Sequence, residues 1–154
     1  MTDPVEVRTS MAAPAEHIYD LVADLTRMGE WSPETTACTW VGADREPRPG
    51  ARFRGTNRHG WRRWTTTCVV LVADRGRELS WEARMFGLPI ARWRYELRPD
   101  SNGATTVIES AEDRRNSLFK ALSPAVAGVS DRSAHNRATM AITLERLKAA
   151  AEAG

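Results

Sequence analysis

The chain has two cysteines in 154 residues, Cys38 and Cys68, and no CxxC spacing. That excludes a disulfide scaffold and a cysteine-built zinc site, and each thiol is read as buried and inert inside an apolar or threonine-rich strand. The three histidines, His17, His59 and His135, lie at no metal-ligand spacing to another histidine, cysteine or carboxylate pair, so each is read as a surface residue and no metal is expected. No GxSxG, HExxH, P-loop or dinucleotide fingerprint occurs, which removes most hydrolases, metalloproteases and nucleotide-dependent enzymes, and no cofactor is expected. No apolar run approaches the ~20 residues of a membrane span, and Met1-Thr2-Asp3-Pro4 has neither the basic nor the apolar region of a signal peptide. A cytoplasmic protein without integral membrane association is the expectation. An excess of one charge is missing too: 22 basic against 20 acidic residues do not argue for nucleic acid, and none is expected as a partner.

What is there reads as one α+β domain over residues 1–154, long enough to bury its own core and compatible with a monomer or a homodimer. Val5, Val7, Thr9 and Met11 alternate with polar residues, as in a half-buried strand. Pro14 opens a helix whose buried stripe is Ile18, Leu21, Val22, Leu25 and Met28, with Gly29 ending it. Ser32 and Pro33 read as the N-cap and first residue of a second short helix. From Thr36 to Glu112 the period falls to two. Strands are predicted near Cys38–Val41, Ala51–Asn57, Trp64–Val72, Glu78–Met85, Ile90–Leu97 and Thr105–Glu112, and the short turns between them imply an antiparallel meander. Helical spacing then returns. Ser123-Pro124 reads as the start of a long helix with Asn136, Met140, Leu144 and Leu147 on one face and a kink at Gly128 and Ser130; Ser117–Leu122 is a lid or a loop leading into it.

Strand parity divides the sheet into two faces. Leu79, Trp81, Ala83 and Met85 share one face, as do Ala91, Trp93, Tyr95 and Leu97, and Phe53, Gly55 and Asn57. Arginines dominate the other. One long helix over a wide sheet leaves room for a pocket, and six tryptophans against three phenylalanines suit a pocket wall, since each brings an N–H that seeks a partner. The alternative is that Trp81 and Trp93 complete a dry core.

The element order, together with Met28-Gly29-Glu30-Trp31-Ser32-Pro33-Glu34, Gly50-Ala51-Arg52-Phe53-Arg54-Gly55, Arg92-Trp93-Arg94-Tyr95 and Thr105–Arg114, resembles the START-like (SRPBCC) superfamily, and within it the polyketide cyclase/dehydrase and lipid-transport group. The resemblance implies a helix-grip fold: a seven-stranded curved antiparallel sheet wrapped around a long C-terminal helix, with two short helices after the first strand. It also implies an apolar small-molecule ligand, lipid- or polyketide-like, in the space between. Some members are aromatase/cyclases and others only carriers, so the fold leaves the activity open.

Glu109 shares parity with Thr105, Val107 and Ala111, and the resemblance turns that face inward. Burial there would raise its pKa and fit it for general acid/base work or for anchoring a polar ligand group; a structural carboxylate is the alternative. With Tyr95 as an orienting hydroxyl, Glu109 forms the candidate catalytic pair of a cyclase/dehydrase. The candidate ligand-binding set is Trp31, Phe53, Asn57, Trp64, Trp81 and Trp93, with Tyr95, Val107, Glu109, Met140 and Leu144 completing it. Trp31 is alternatively a packing anchor between the short helices. Arg52, Arg54, Arg58, Arg62 and Arg63, with Arg92, Arg94 and Arg98, form either a solvated strand face or a basic patch through which an interaction module would work.

Overall fold

A computed structural model describes residues 4–127 and 132–154. Seven strands, β1 (Val5–Met11), β2 (Thr35–Trp40), β3 (Arg52–His59), β4 (Arg62–Asp74), β5 (Glu78–Met85), β6 (Leu88–Pro99) and β7 (Thr105–Asp113), form one antiparallel sheet. β2 to β7 follow one another as a meander and β1 closes the order beside β7. The register slips at Thr35/Ala37, Val70/Val72 and Ala83/Arg84, and such bulges bend strands. Helices α1 (Ala15–Ala23) and α2 (Met28–Trp31) follow β1; α3 (Ser117–Ala127) and α4 (Arg132–Ala153) follow β7. This is the helix-grip arrangement, with α4 packed against β1, β7, α1 and α2.

Residues Met140, Thr143, Leu144, Leu147 and Ala151 form one buried stripe of α4; Leu144, Leu147 and Ala151 join Met11, Val107 and Leu79 in the main core, and Met140 packs with Val5 and Ala111. The far end of α4 is pinned where the Ala12 N–H donates to Glu152 Oε2 at 2.8 Å.

Three local expectations are corrected. The first helix ends at Ala23, and the stripe continues through a 3-10 turn (Leu25–Arg27) into α2, so Gly29 lies inside a helix rather than at its end. Its role is close approach: a Cβ there would lie 2.6 Å from the Thr36 carbonyl oxygen of β2. Ser32 caps the C-terminus of α2 instead of starting a helix, and its hydroxyl accepts the N–H groups of Glu34 and Thr35 at 3.2 and 3.0 Å in the turn into β2. Helix α3 runs through Ser123 and Pro124, so Ser117–Leu122 is helical and the long helix does not start at that pair. The expected kink at Gly128 and Ser130 lies outside the described residues.

A cavity with one unpartnered carboxyl

Between the inner sheet face, α4 and α3 lies a cavity of about 380 Å3, in the range of small-ligand sites. Its wall is an aromatic run. Phe53 meets Trp81 edge to face at 5.6 Å, and Trp81 stacks on Tyr95 at 5.9 Å; Trp40 backs Phe53 from outside the cavity, edge to face at 5.9 Å. The hollow exists because two cross-strand rows between these rings carry little side chain. Cys38, Gly55 and Thr66 make one row, and Cys68, Ala83 and Ala91 the other. All six line the cavity. Inward parity combined with small size marks them in the sequence, a weaker signal than the tryptophans beside them.

The candidate residues divide into two groups. Phe53, Asn57, Trp64, Trp81, Trp93, Tyr95, Glu109 and Met140 line the cavity. Trp31, Val107 and Leu144 do not; they are buried in the core around it. Trp31 sits where α2 meets the core, under the Arg27 guanidinium at 5.0 Å, which fits the packing-anchor alternative. The Asn57 amide is engaged within the wall, accepting from the Thr35 hydroxyl at 2.9 Å and donating to Thr66 Oγ1 at 3.4 Å.

Glu109 and Tyr95 are cross-strand partners on β7 and β6, and their polar ends interact. Both are 3 % exposed. Burial pushes the Glu109 pKa up to about 8, a rise the nearby Tyr95 hydroxyl only partly opposes, and burial also raises Tyr95 well above the ordinary phenol range. Glu109 is therefore a neutral acid at pH 7. Its Oε1 has no hydrogen-bond partner among the described residues, and the same holds for Oδ1 of Asn136, which lines the cavity from α4. Buried polar atoms left open are uncommon in folded proteins, and here three border one cavity, the third being Nη1 of Arg132. The thiols of Cys38 and Cys68 are buried, free and pushed up to about 12 by desolvation, so they contribute apolar wall and no nucleophile.

At the start of α4 a polar cluster ties the helix to the sheet. Glu34 accepts Arg132 Nη2 at 2.5 Å and pairs with His135, Arg132 lies over the Trp64 ring at 5.8 Å, and His135 meets His59 edge to face at 4.9 Å. The expectation of surface histidines is thus corrected: all three are half-buried, two of them in this cluster. On the outer sheet face, Arg84 donates to Glu82 at 2.8 Å, Arg94 to Glu78 at 3.1 Å and Arg98 to Glu96 at 3.0 Å. Of the eight arginines assigned to the basic face, Arg94 and Arg98 are thus held in ion pairs.

A family described as polyketide cyclase/dehydrase and lipid transport matches residues 4–152. A polyketide-cyclase-like protein from Corynebacterium glutamicum is 28 % identical, with a TM-score of 0.58 over 99 % of this chain and 91 % of that one. A protein from Chromobacterium violaceum gives 0.72 at 15 % identity over 98 % and 99 % of the two chains. Major latex-like protein 151 from Panax ginseng gives 0.70 at 9 % identity over 97 % of each chain, and these last two likenesses show the fold alone. No curated protein sequence matches.

Proposed function

The chain belongs to the polyketide cyclase/dehydrase and lipid-transport family, and on that premise we propose that it holds an apolar small molecule with one oxygen-bearing group in the cavity between sheet and α4. The observation that carries this reading is the open Oε1 of Glu109, buried on the wall of an otherwise mainly aromatic and aliphatic hollow. A neutral carboxyl donates one hydrogen bond and accepts others, so it suits a carbonyl or hydroxyl. The flat part of the molecule would lie on Trp81 and Trp93, with the flexible Met140 closing over it. Native mass spectrometry and solvent extraction of the purified protein test the reading. A co-purified polyketide- or lipid-like molecule is expected, displaced in proportion by a fluorescent apolar dye. A cavity that takes up neither would refute it.

A second reading, a cyclase/dehydrase using the same cavity, is favoured by the carboxyl's pKa of about 8. An acid of that strength can protonate a leaving hydroxyl or an enolate oxygen at neutral pH, with the Tyr95 hydroxyl holding it in place. Glu109→Gln separates the readings: a carrier keeps its uptake with a modest loss of affinity, whereas an enzyme keeps uptake and loses turnover.

A further inference from the structure

In an antiparallel meander alternate turns share one end of the sheet, so the β3–β4 tip (His59-Gly60-Trp61) and the β5–β6 tip (Phe86-Gly87) lie together. Helix α3 joins them there. The Arg114 N–H donates to the Ile90 carbonyl at 3.1 Å, and Phe119 stacks on Phe86 at 6.4 Å. Phe86, Leu88, Leu118 and Leu122 line the open end of the cavity. The same end exposes large apolar side chains: Phe86 is 89 % exposed, Trp61 79 % and Leu118 68 %, with Leu88 and Leu122 also in solvent. Phe86 moreover stands at φ +54, in a left-handed two-residue turn where asparagine is usual, so a bulky ring is displayed at a backbone cost.

Basic residues outnumber acidic ones around these side chains. Residues 58–64, 84–91 and 114–122 contain Arg58, Arg62, Arg63, Arg84, Arg114, Arg115 and Lys120 and no Asp or Glu. Arg84, Arg114 and Arg115 pair with Glu82, Glu112 and Asp113 just outside those segments. We propose that this end of the molecule docks on an anionic lipid bilayer, with Trp61, Phe86 and Leu118 entering the interface and the basic residues meeting lipid phosphates. The combination of aromatic and aliphatic tips inside a basic collar is what such a surface requires. A second copy of this chain fits less well, because like-charged collars would face each other. Nucleic acid has no use for the leucines. Docking would set the open end of the cavity against the acyl region, where an apolar molecule can cross without passing through water. The docking itself stands on the surface alone, whatever the cavity holds.

The test is co-sedimentation of the full chain with vesicles of phosphatidylcholine alone and of phosphatidylcholine with phosphatidylglycerol in equal parts. The protein is expected to pellet with the anionic vesicles and to be released by salt. Replacing Arg58, Arg62 and Arg63 together by Gln should weaken binding on the order of a hundredfold. Trp61→Ser with Phe86→Ser should weaken it on the order of tenfold or more while leaving the far-ultraviolet circular dichroism unchanged, since both side chains lie mostly in solvent. Failure to pellet with anionic vesicles overturns the proposal, as does equal pelleting of the variants. So does a mass doubling in sedimentation that Trp61→Ser abolishes, or salt-sensitive retention on DNA, in the absence of vesicle binding. None of these readouts depends on a cavity ligand, so a failure here is distinct from a failure of the carrier reading.

Discussion

Glu109→Gln should change how the stability of the protein depends on pH more than it changes the structure. The Glu109 carboxyl has a pKa of about 8 when folded against 4.5 for an unperturbed glutamate, because folding removes it from water. Its acid form is thus favoured by the native state, and between those two values the folded protein binds more protons than the unfolded chain. Stability must fall as pH rises through this window and level off above pH 8. Treating the carboxyl as an independent site, the loss is about 2–3 kcal/mol between pH 5 and pH 7 and about 1 kcal/mol more by pH 8. Glutamine has nearly the same shape, fits the same place opposite Tyr95 and carries no titrating proton, so the variant should lack this slope. Urea unfolding of both proteins at pH 5, 6, 7 and 8, in buffers matched for ionic strength, measures the difference directly. The other titrating groups cancel in the comparison. Parallel stability curves would refute the reasoning and mean that Glu109 is ionised in the fold, with a counter-charge or water reaching Oε1.

Three further outcomes follow from the packing. Ala83→Leu adds apolar volume to the row of small residues on the cavity wall; apolar dye uptake should fall on the order of tenfold or more, while stability holds or rises by about 0.5–2 kcal/mol, as for other cavity-filling changes. Lost stability with unchanged uptake would show the hollow is not where the dye binds. Gly29→Ala forces a methyl group to 2.6 Å from a backbone oxygen of β2, so urea unfolding should show a loss of about 1–3 kcal/mol, and an unchanged midpoint would contradict the close approach of α2 to β2. At pH 8, Cys38 and Cys68 should react with an aromatic disulfide reagent on the order of a thousandfold more slowly in the native protein than in urea, given thiol pKa values of about 12; rapid native labelling would count against their burial.

The sheet was legible because period two is a direct imprint of the pleat. Leu79, Trp81, Ala83 and Met85 are all buried, as their alternation with Ser80, Glu82 and Arg84 required. The same rule misjudged the opposite face in one respect, since Ser80 and Glu82 are buried too, Glu82 beneath its ion pair with Arg84. Segment 24–34 was less legible because its signals are ambiguous in isolation. Serine followed by proline suits a helix start, yet here Ser32 ends α2 and organises the turn into β2. A glycine after an apolar stripe suits a helix stop, yet Gly29 is there for a strand that lies seven residues on. Each choice is settled by a tertiary neighbour, and no window along the chain contains that neighbour's position.

The cavity poses a harder problem of the same kind, because it is a volume left unfilled rather than a residue present. Aromatic side chains on the inner face are compatible with a dry core or with a wall, and Trp81 alone cannot distinguish them. What distinguishes them is the cross-strand pairing that sets Cys68, Ala83 and Ala91 side by side, a row that parity predicts only once the register is known. Glu109 follows the same logic. Parity placed it inward with Val107, but only the register puts Tyr95 directly opposite, and only the finished packing leaves Oε1 without a partner. An open carboxyl oxygen costs about 1–3 kcal/mol, a cost that a hydrogen-bonding guest in the cavity would remove. Natural selection tolerates that cost most readily where a bound molecule removes it, and this is why the unpartnered oxygen weighs more in the functional reading than the aromatic wall around it.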